Sequence, residues 1–582
     1  MPLTNTQYDQ IMRGYQDRQL KRQQLIDTRR EEIAAKIPKI TELDAQIASL
    51  SVRRARQLLD GDASALTDLH DQIQTLSARK QECLQNAGYP ADYFQPPYTC
   101  PDWGVLIAVL IYEVVSIVGI GAFMAYKNKK SGGAESGSFA FAGGGLPASL
   151  VGITLALTLL GSAHNWGTCQ NAASMGVIAA WFGIACVIMM VVITQITGPW
   201  IRRTGAKTIG DFLNKVFGKV PGTMISCVNA ALSIAMVCLE VETIAITLSF
   251  LTGWSYMISA IVGGILAMLY VLLAGMKEIA WLNLLNAILM YAALIVVFIC
   301  LCFKLPGGWD QVEATMTASA DTSWMTSIFG NKALIIGFAI PSALGATMFH
   351  GMAQTGYQPV ATAKNNHEVK KSLWFAGPIN GLFCIIPALI GVAAFSILAY
   401  RNAGSMMMTP AMLLDLLPKP VIALLAAGFL GVDLSSFAVM ALAPATLISH
   451  DMYTLYKPNA TEKQKSTLSR VIIIIIGIVS IAICNFQPAV VDMVNWCFSF
   501  GIPVFIMGVI GLWWKRSTKA SVITFIITWI VVCIWSTFGL QNALGWANFH
   551  VNYISLIVAL IVGVISTAVL PGKKGLFAGK RA

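Results

Sequence analysis

From Gly104 to the C-terminus, apolar runs of roughly 20 or more residues follow one another with short polar connections between them. A run of that length crosses a hydrocarbon core about 30 Å thick as a helix, with every backbone polar group satisfied inside the segment. The runs fall at about 104–126, 146–166, 171–199, 222–250, 257–275, 279–303, 332–358, 372–400, 420–453, 467–487, 491–514, 518–538 and 552–570, which predicts thirteen spans. Upstream the pattern is different. Residues 1–101 are polar, and Ile33, Ile37, Ile40, Leu43, Ile47 and Leu50 recur at the three- and four-residue spacing of one apolar helix face. Leu66, Leu69, Ile73 and Leu76 repeat it, and Pro38 and the Gly61-Asp62 pair punctuate the two stretches, so a helical hairpin or short coiled coil is expected there. The fold class is therefore all-α: a polytopic membrane protein preceded by a helical N-terminal segment, with residues 573–582 left as a basic tail.

Composition agrees with the pattern and narrows the function. Of 582 residues, 56% are hydrophobic and 12% charged, and the mean hydropathy is +0.66. Soluble chains carry about 25% charged residues. The net charge of +11 lies entirely beyond residue 101, because residues 1–101 hold 13 basic and 13 acidic side chains. In a membrane domain such charge reports orientation and not nucleic-acid binding. Connections on one side of the thirteen spans hold 23 Lys and Arg, and those on the other side hold four: Lys304, Lys332, Arg401 and Lys419. The expectation is a multi-pass protein of the plasma (inner) membrane with a cytoplasmic C-terminus, which sets the charged residues 1–101 outside. The twelve cysteines are scattered through apolar runs without CxxC pairs, so they read as small apolar residues and not as a zinc site. No nucleophile–base constellation and no cofactor motif stands out, so an enzyme is not expected.

Inside a membrane, interrupted helices and ionisable side chains mark a pathway. The second span reads LPASLVGITLALTLLGSAHNWGTCQNAASMG (146–176), with Gly161, Ser162, His164, Asn165 and Gly167 interrupting a Leu-rich helix. The seventh contains AIPSALGATMFHGMAQTGYQP (339–359), where Pro341, Gly345, Gly351 and Gly356 accompany Ser342 and His350. Two broken helices five spans apart are the sequence sign of an inverted-repeat transporter, with repeats at about 146–303 and 332–514. The ninth span, GFLGVDLSSFAVMALAPATLISHDMYTLY (428–456), sets Asp433 beside Ser435 and Ser436. These are hard oxygen ligands suited to an alkali cation, although serines in helices also bond back to their own carbonyls. Glu240 and Glu242, in MVCLEVETIAITL, are further acids in an apolar setting and read first as helix–helix polar contacts.

Several motifs in order resemble the sodium:solute symporters: IVGIGAFMAYKNKK followed by a glycine-rich loop and LPASLVG, TIGDFLNKVFGK (208–219), LLAGMKEIAWLNLLN (272–286), QPVATAKN (358–365) and DLSSFAVMALAPATLISHDMY (433–453). The resemblance covers residues 104–572 and implies the LeuT-like five-plus-five inverted repeat with flanking helices. It also implies import of a small organic solute with sodium as the coupling ion and no other cofactor. Carried over by position, the sodium site would use the side chains of Ser435 and Ser436 and the carbonyls of Val432, Leu157 and Leu160. The ninth-span register is fixed from Asp451, and the second-span register from Pro147 and Gly152 or equally from Gly167 and Gly176. The solute would lie near Ser162, His164, Asn165, Phe349, His350 and Gln354, with Phe349 where sugar-transporting members have an aromatic inner gate. Two departures stand out. Asn283 replaces the acid of the family's W-T-D motif, and Asp433 adds one beside the serines, which makes Asp433 a candidate coupling group and keeps a proton-coupled carrier as the rival. A membrane sensor that binds without transport is the second rival. The partners expected are the solute, Na+ and the lipid bilayer, with no nucleic acid.

Residues 1–101 resemble something else. LTNTQYDQIMRGYQDRQL, IPKITELDAQIASLSVRRARQLLDG and GYPADYFQPPYTCPD are similar to the N-terminal region of helicase-loader ATPases of the DnaC type. The resemblance stops at Trp103, and no GxxxxGK[ST] phosphate loop follows. A fused reading frame accounts for this better than a tethered replication domain.

Overall fold

Apolar periodicity becomes helix throughout. The computed structural model describes parts of 24–60 and 72–87, then 103–579 apart from 131–144, 160, 274–275, 306, 383, 402–404, 406, 485–489 and 547–548. Backbone contacts divide the chain into Thr4–Cys100 and a unit holding Pro101–Ala582. In the first, the helix Pro38–Asp60 starts at the predicted proline, and Ile33, Ile40 and Leu84 form a small apolar core with Ile37 and Cys83. Of the second predicted stretch, Leu66, Leu69 and Ile73 lie outside the described residues.

The second unit is a helical membrane bundle. Among the described residues ten helices are long and apolar enough to cross a membrane, and three shorter apolar helices, Ala148–Thr158, Tyr256–Leu272 and Ile385–Ser396, fall where the second, fifth and eighth spans are predicted. Large apolar side chains such as Val115, Ile288 and Ile565 stand exposed on the outer faces, as lipid contact requires. Seven helices position the site: α1 (Ala148–Leu159), α2 (Ser162–Met175), α3 (Lys219–Thr252), α4 (Met276–Lys304), α5 (Ile340–Gly351), α6 (Gln354–Ala361) and α7 (Lys419–Thr446). α7 is the most enclosed, with every residue from Leu425 to Thr446 buried. Glycines let α4 approach it closely: a Cβ on Gly428 would stand 2.9 Å from the Met290 backbone, and one on Gly431 would stand 2.8 Å from Asn286. Asn286 uses that closeness to donate to the Gly431 carbonyl at 2.7 Å.

Both predicted breaks are present, the first at Gly161 and the second between Gly351 and Gly356, while the other residues named for them are helical. In the first, α1 ends at Leu159, Gly161 is extended and α2 begins at Ser162. His164, Asn165 and Gly167 are therefore helical, and the chain turns only at Gly176, whose φ of +58° favours glycine. Polar residues named as part of the interruption thus belong to a largely buried helix. In the second, Pro341 and Gly345 sit inside an unbroken α5. A π-helical turn at Ile335–Ala339 lies just before the proline, and the break follows at Met352–Ala353.

The two broken helices are fastened together at one end. Leu146 donates to the Thr362 carbonyl and accepts from the Lys364 N–H, each at 3.0 Å. The Glu368 carboxylate accepts from the Ala148 N–H at 2.7 Å, capping α1 from beyond the second break. Glu368→Ala is expected to lower stability by about 1 kcal/mol, with Glu368→Gln losing less because it keeps the acceptor; thermal unfolding of the purified protein checks both.

Candidate cation and solute site

The first break opens against α3 and α7. Gly161 is extended, with φ −65° and ψ 179°. The last carbonyls of α1 lack helical partners, and one of them, Leu157, accepts from the Ser436 hydroxyl at 2.7 Å. Ser435 folds back onto the Val432 carbonyl at 3.0 Å. All four residues are fully buried. A Cβ built on Gly161 would stand 2.8 Å from Ser436 Oγ and 2.9 and 3.0 Å from the two carboxylate oxygens of Glu240, so only glycine leaves this space open. Leu160 lies outside the described residues. The surroundings are hydroxyls, carbonyls and a carboxylate, a donor set that fits an alkali cation.

Asp433 is oriented differently. Its oxygens accept from Thr243 at 3.1 Å and Thr247 at 3.2 Å, both on α3. Thr247 in turn accepts from the Trp166 indole at 3.0 Å, which links α2 to the same seam. Asp433 thus ties α7 to α3. Glu240, Thr243 and Thr247 share one face of α3 at helical spacing. That spacing was visible in LEVETIAIT, but only the fold shows what the face meets. Asn283 is buried, with both side-chain polar atoms unpartnered among the described residues.

The candidate solute residues fall into two groups. His164 stacks on Phe182 at 4.4 Å and lies 3.5 Å from the Cys186 sulfur, while Asn165 donates to the Met290 sulfur at 3.3 Å. Phe349 and His350 end α5 and both pack on Phe498, at 5.6 and 5.3 Å. His350 reaches Thr355 at 3.1 Å. The helix Trp181–Val191, which carries Phe182 and Cys186, packs against α5, so the neighbours of His164 lie on a helix that also touches the one carrying His350. Gln354 is committed elsewhere. It accepts from the Ile209 N–H at 3.0 Å, donates to Gln358 at 2.5 Å, and its backbone N–H donates to Asn229 at 3.3 Å. The side chain of Ser162 lies outside the described ones.

Sequence reasoning used Asp451 only as a register mark, yet it is a hub. Thr208 Oγ1 lies 2.7 and 2.9 Å from its carboxylate oxygens, and Ser226 donates at 2.7 Å. These residues border a cavity of about 220 Å³ that Lys207, Asp211 and Lys465 also line.

The model of the sodium:solute symporter family matches residues 139–528. A Na+-coupled sialic acid symporter in a substrate-bound outward-open state superposes with a TM-score of 0.66 at 18% identity, covering 81% of this chain and 98% of that one. The nucleobase-cation-symport-1 transporter Mhp1, in a closed conformation with bromovinylhydantoin bound, gives 0.47 at 12% identity, with 75% and 95% covered. The bundle has the LeuT-like fold that the motif resemblance implied, and with two thirds of its length matched by the family model the chain belongs to the sodium:solute symporter family.

Proposed function

We propose that this symporter takes up its solute through the two breaks, with the transported sodium held by Ser435, Ser436 and the carbonyls of Val432, Leu157 and Leu160. The observation that carries this is the Ser436 hydroxyl on the Leu157 carbonyl, which joins the broken helix of one repeat to α7 of the other. Sodium arriving there would exchange serine–carbonyl hydrogen bonds for ligation and draw α1 and α7 together. The solute would lie beside His164, Asn165, Phe349 and His350, with Gln354 tying the end of the pathway where Leu146 meets Thr362.

The charge asymmetry supports a cytoplasmic C-terminus and a plasma-membrane location. The connections rich in Lys and Arg gather at one end: Arg202 donates to the Val360 carbonyl and to Asn366, and Lys515–Arg516 pairs with Lys573–Lys574. Sodium then enters down its gradient and the membrane potential. One charge crossing 100 mV contributes about 2.3 kcal/mol, roughly fifty-fold in accumulation.

The test is capacitive current from the full-length protein in proteoliposomes, screened against pools of organic acids, amino acids, sugars and vitamins. A current that one pool elicits only with an inward sodium gradient is expected. A current that ignores sodium and collapses with a protonophore would put proton coupling in its place.

A further inference from the structure

Glu240 is the acid whose carboxylate lies against the first break among the described residues, and neither the resemblance nor the carried-over site includes it. It is buried in mid-span on α3, and its Oε2 has no hydrogen-bond partner among the described residues. Its two oxygens and Ser436 Oγ converge on the space over Gly161, each about 3 Å from where a side chain there would begin. The other two candidate acids are accounted for differently. Asn283, where the family motif carries an acid, is neutral, and Asp433 accepts from Thr243 and Thr247.

We propose that Glu240 is a direct ligand of the transported sodium and supplies the site's negative charge. The proposal rests on the serine-pair reading above. A carboxylate buried without a counter-charge is strongly unfavourable in a membrane interior, and a monovalent cation beside it removes that penalty. Serine hydroxyls and backbone carbonyls offer neutral oxygens only, so without Glu240 the enclosed ion would keep its full charge as the helices close over it. With Glu240 the ion and its nearest acid neutralise each other, and the carboxylate reaches the ion from α3, a helix that the carried-over site does not use. Three elements, α1, α3 and α7, would then close on one ion.

The test is equilibrium binding of radioactive sodium to the purified full-length protein in lipid nanodiscs, without solute. It compares wild type with E240Q, E240D, S436A and E242Q. Glu242 is the control, a buried acid two residues away and outside the site. E240Q is expected to weaken sodium binding at least tenfold and E240D less, with E242Q equal to wild type and S436A weakened. E240Q binding within twofold of wild type while S436A is weakened overturns the role of Glu240 and leaves the serine site standing. S436A binding as tightly as wild type overturns the serine site instead, and a wild type with no saturable binding overturns both. Unfolding in potassium checks that each variant is folded. Should E240Q fail that check, E240D carries the test, with at least a threefold loss expected and an unchanged affinity overturning the proposal.

Discussion

Gly161→Ala is expected to yield a folded protein that loses sodium affinity by about a hundredfold, the scale on which a displacement near 1 Å disables a positioned site. The backbone itself accepts alanine, since φ is −65°. The added methyl would instead stand 2.8 Å from Ser436 Oγ and 2.9 Å from Glu240. Both neighbours are side-chain atoms and not backbone, so they can move aside at an overpacking cost of about 1–3 kcal/mol. Moving aside is what the site cannot tolerate, because those same atoms are the proposed ligands. Sodium titration of solute current, set beside a thermal unfolding curve, separates the two effects. Unchanged sodium half-saturation in Gly161→Ala would mean that the space over Gly161 is not where the ion sits.

Replacing both serines, Ser435→Ala with Ser436→Ala, is expected to raise the sodium concentration for half-maximal transport by about a hundredfold or more. A hydrogen bond or ligand contact to a charged group contributes roughly 1.5–3 kcal/mol, and two are removed. The double variant also loses the Ser436–Leu157 tie, which is neutral and contributes only about 1 kcal/mol to stability. The effect on coupling should therefore far exceed the effect on folding. Raising external sodium should restore part of the current, because the carbonyls and the carboxylate remain. A double variant with wild-type sodium dependence would show that the positional carry-over is wrong, and it would return attention to Asp433 and the protons it could carry.

The two broken helices show how far a sequence reading reaches. Glycines and polar side chains in Leu-rich runs announced a break in each, and both exist. Their positions were less legible, because a polar residue in a membrane run has two readings. His164 and Asn165 look like loop residues, yet they are helical, with Phe182, Cys186 and Met290 as neighbours. Of the four residues that mark the second break, Pro341 and Gly345 are helical, and the chain parts at Met352, between Gly351 and Gly356. Local sequence says that a helix is weak here, and packing decides where it gives way.

The acids make the same point. Asp433 stands beside the serines in sequence, but helical geometry turns its carboxylate toward Thr243 and Thr247. Glu240 is far from Ser436 in the chain and meets it in space. No single-sequence pattern encodes that meeting, because it depends on how α3 and α7 cross.

By itself the sequence determined the solvent of this protein, the predicted spans and their charge asymmetry, and the family motifs that carry the serine pair. Each of these follows from length, hydropathy and local order, since hydrocarbon admits only backbone that satisfies its own hydrogen bonds. Only the tertiary structure decided where the helices part, that Gln354 is a tie, that Asp433 serves the α3–α7 seam, and that Glu240 faces the break. Those are contacts between distant segments, set by the close approach of whole helices, and no residue's neighbours in the chain carry that information.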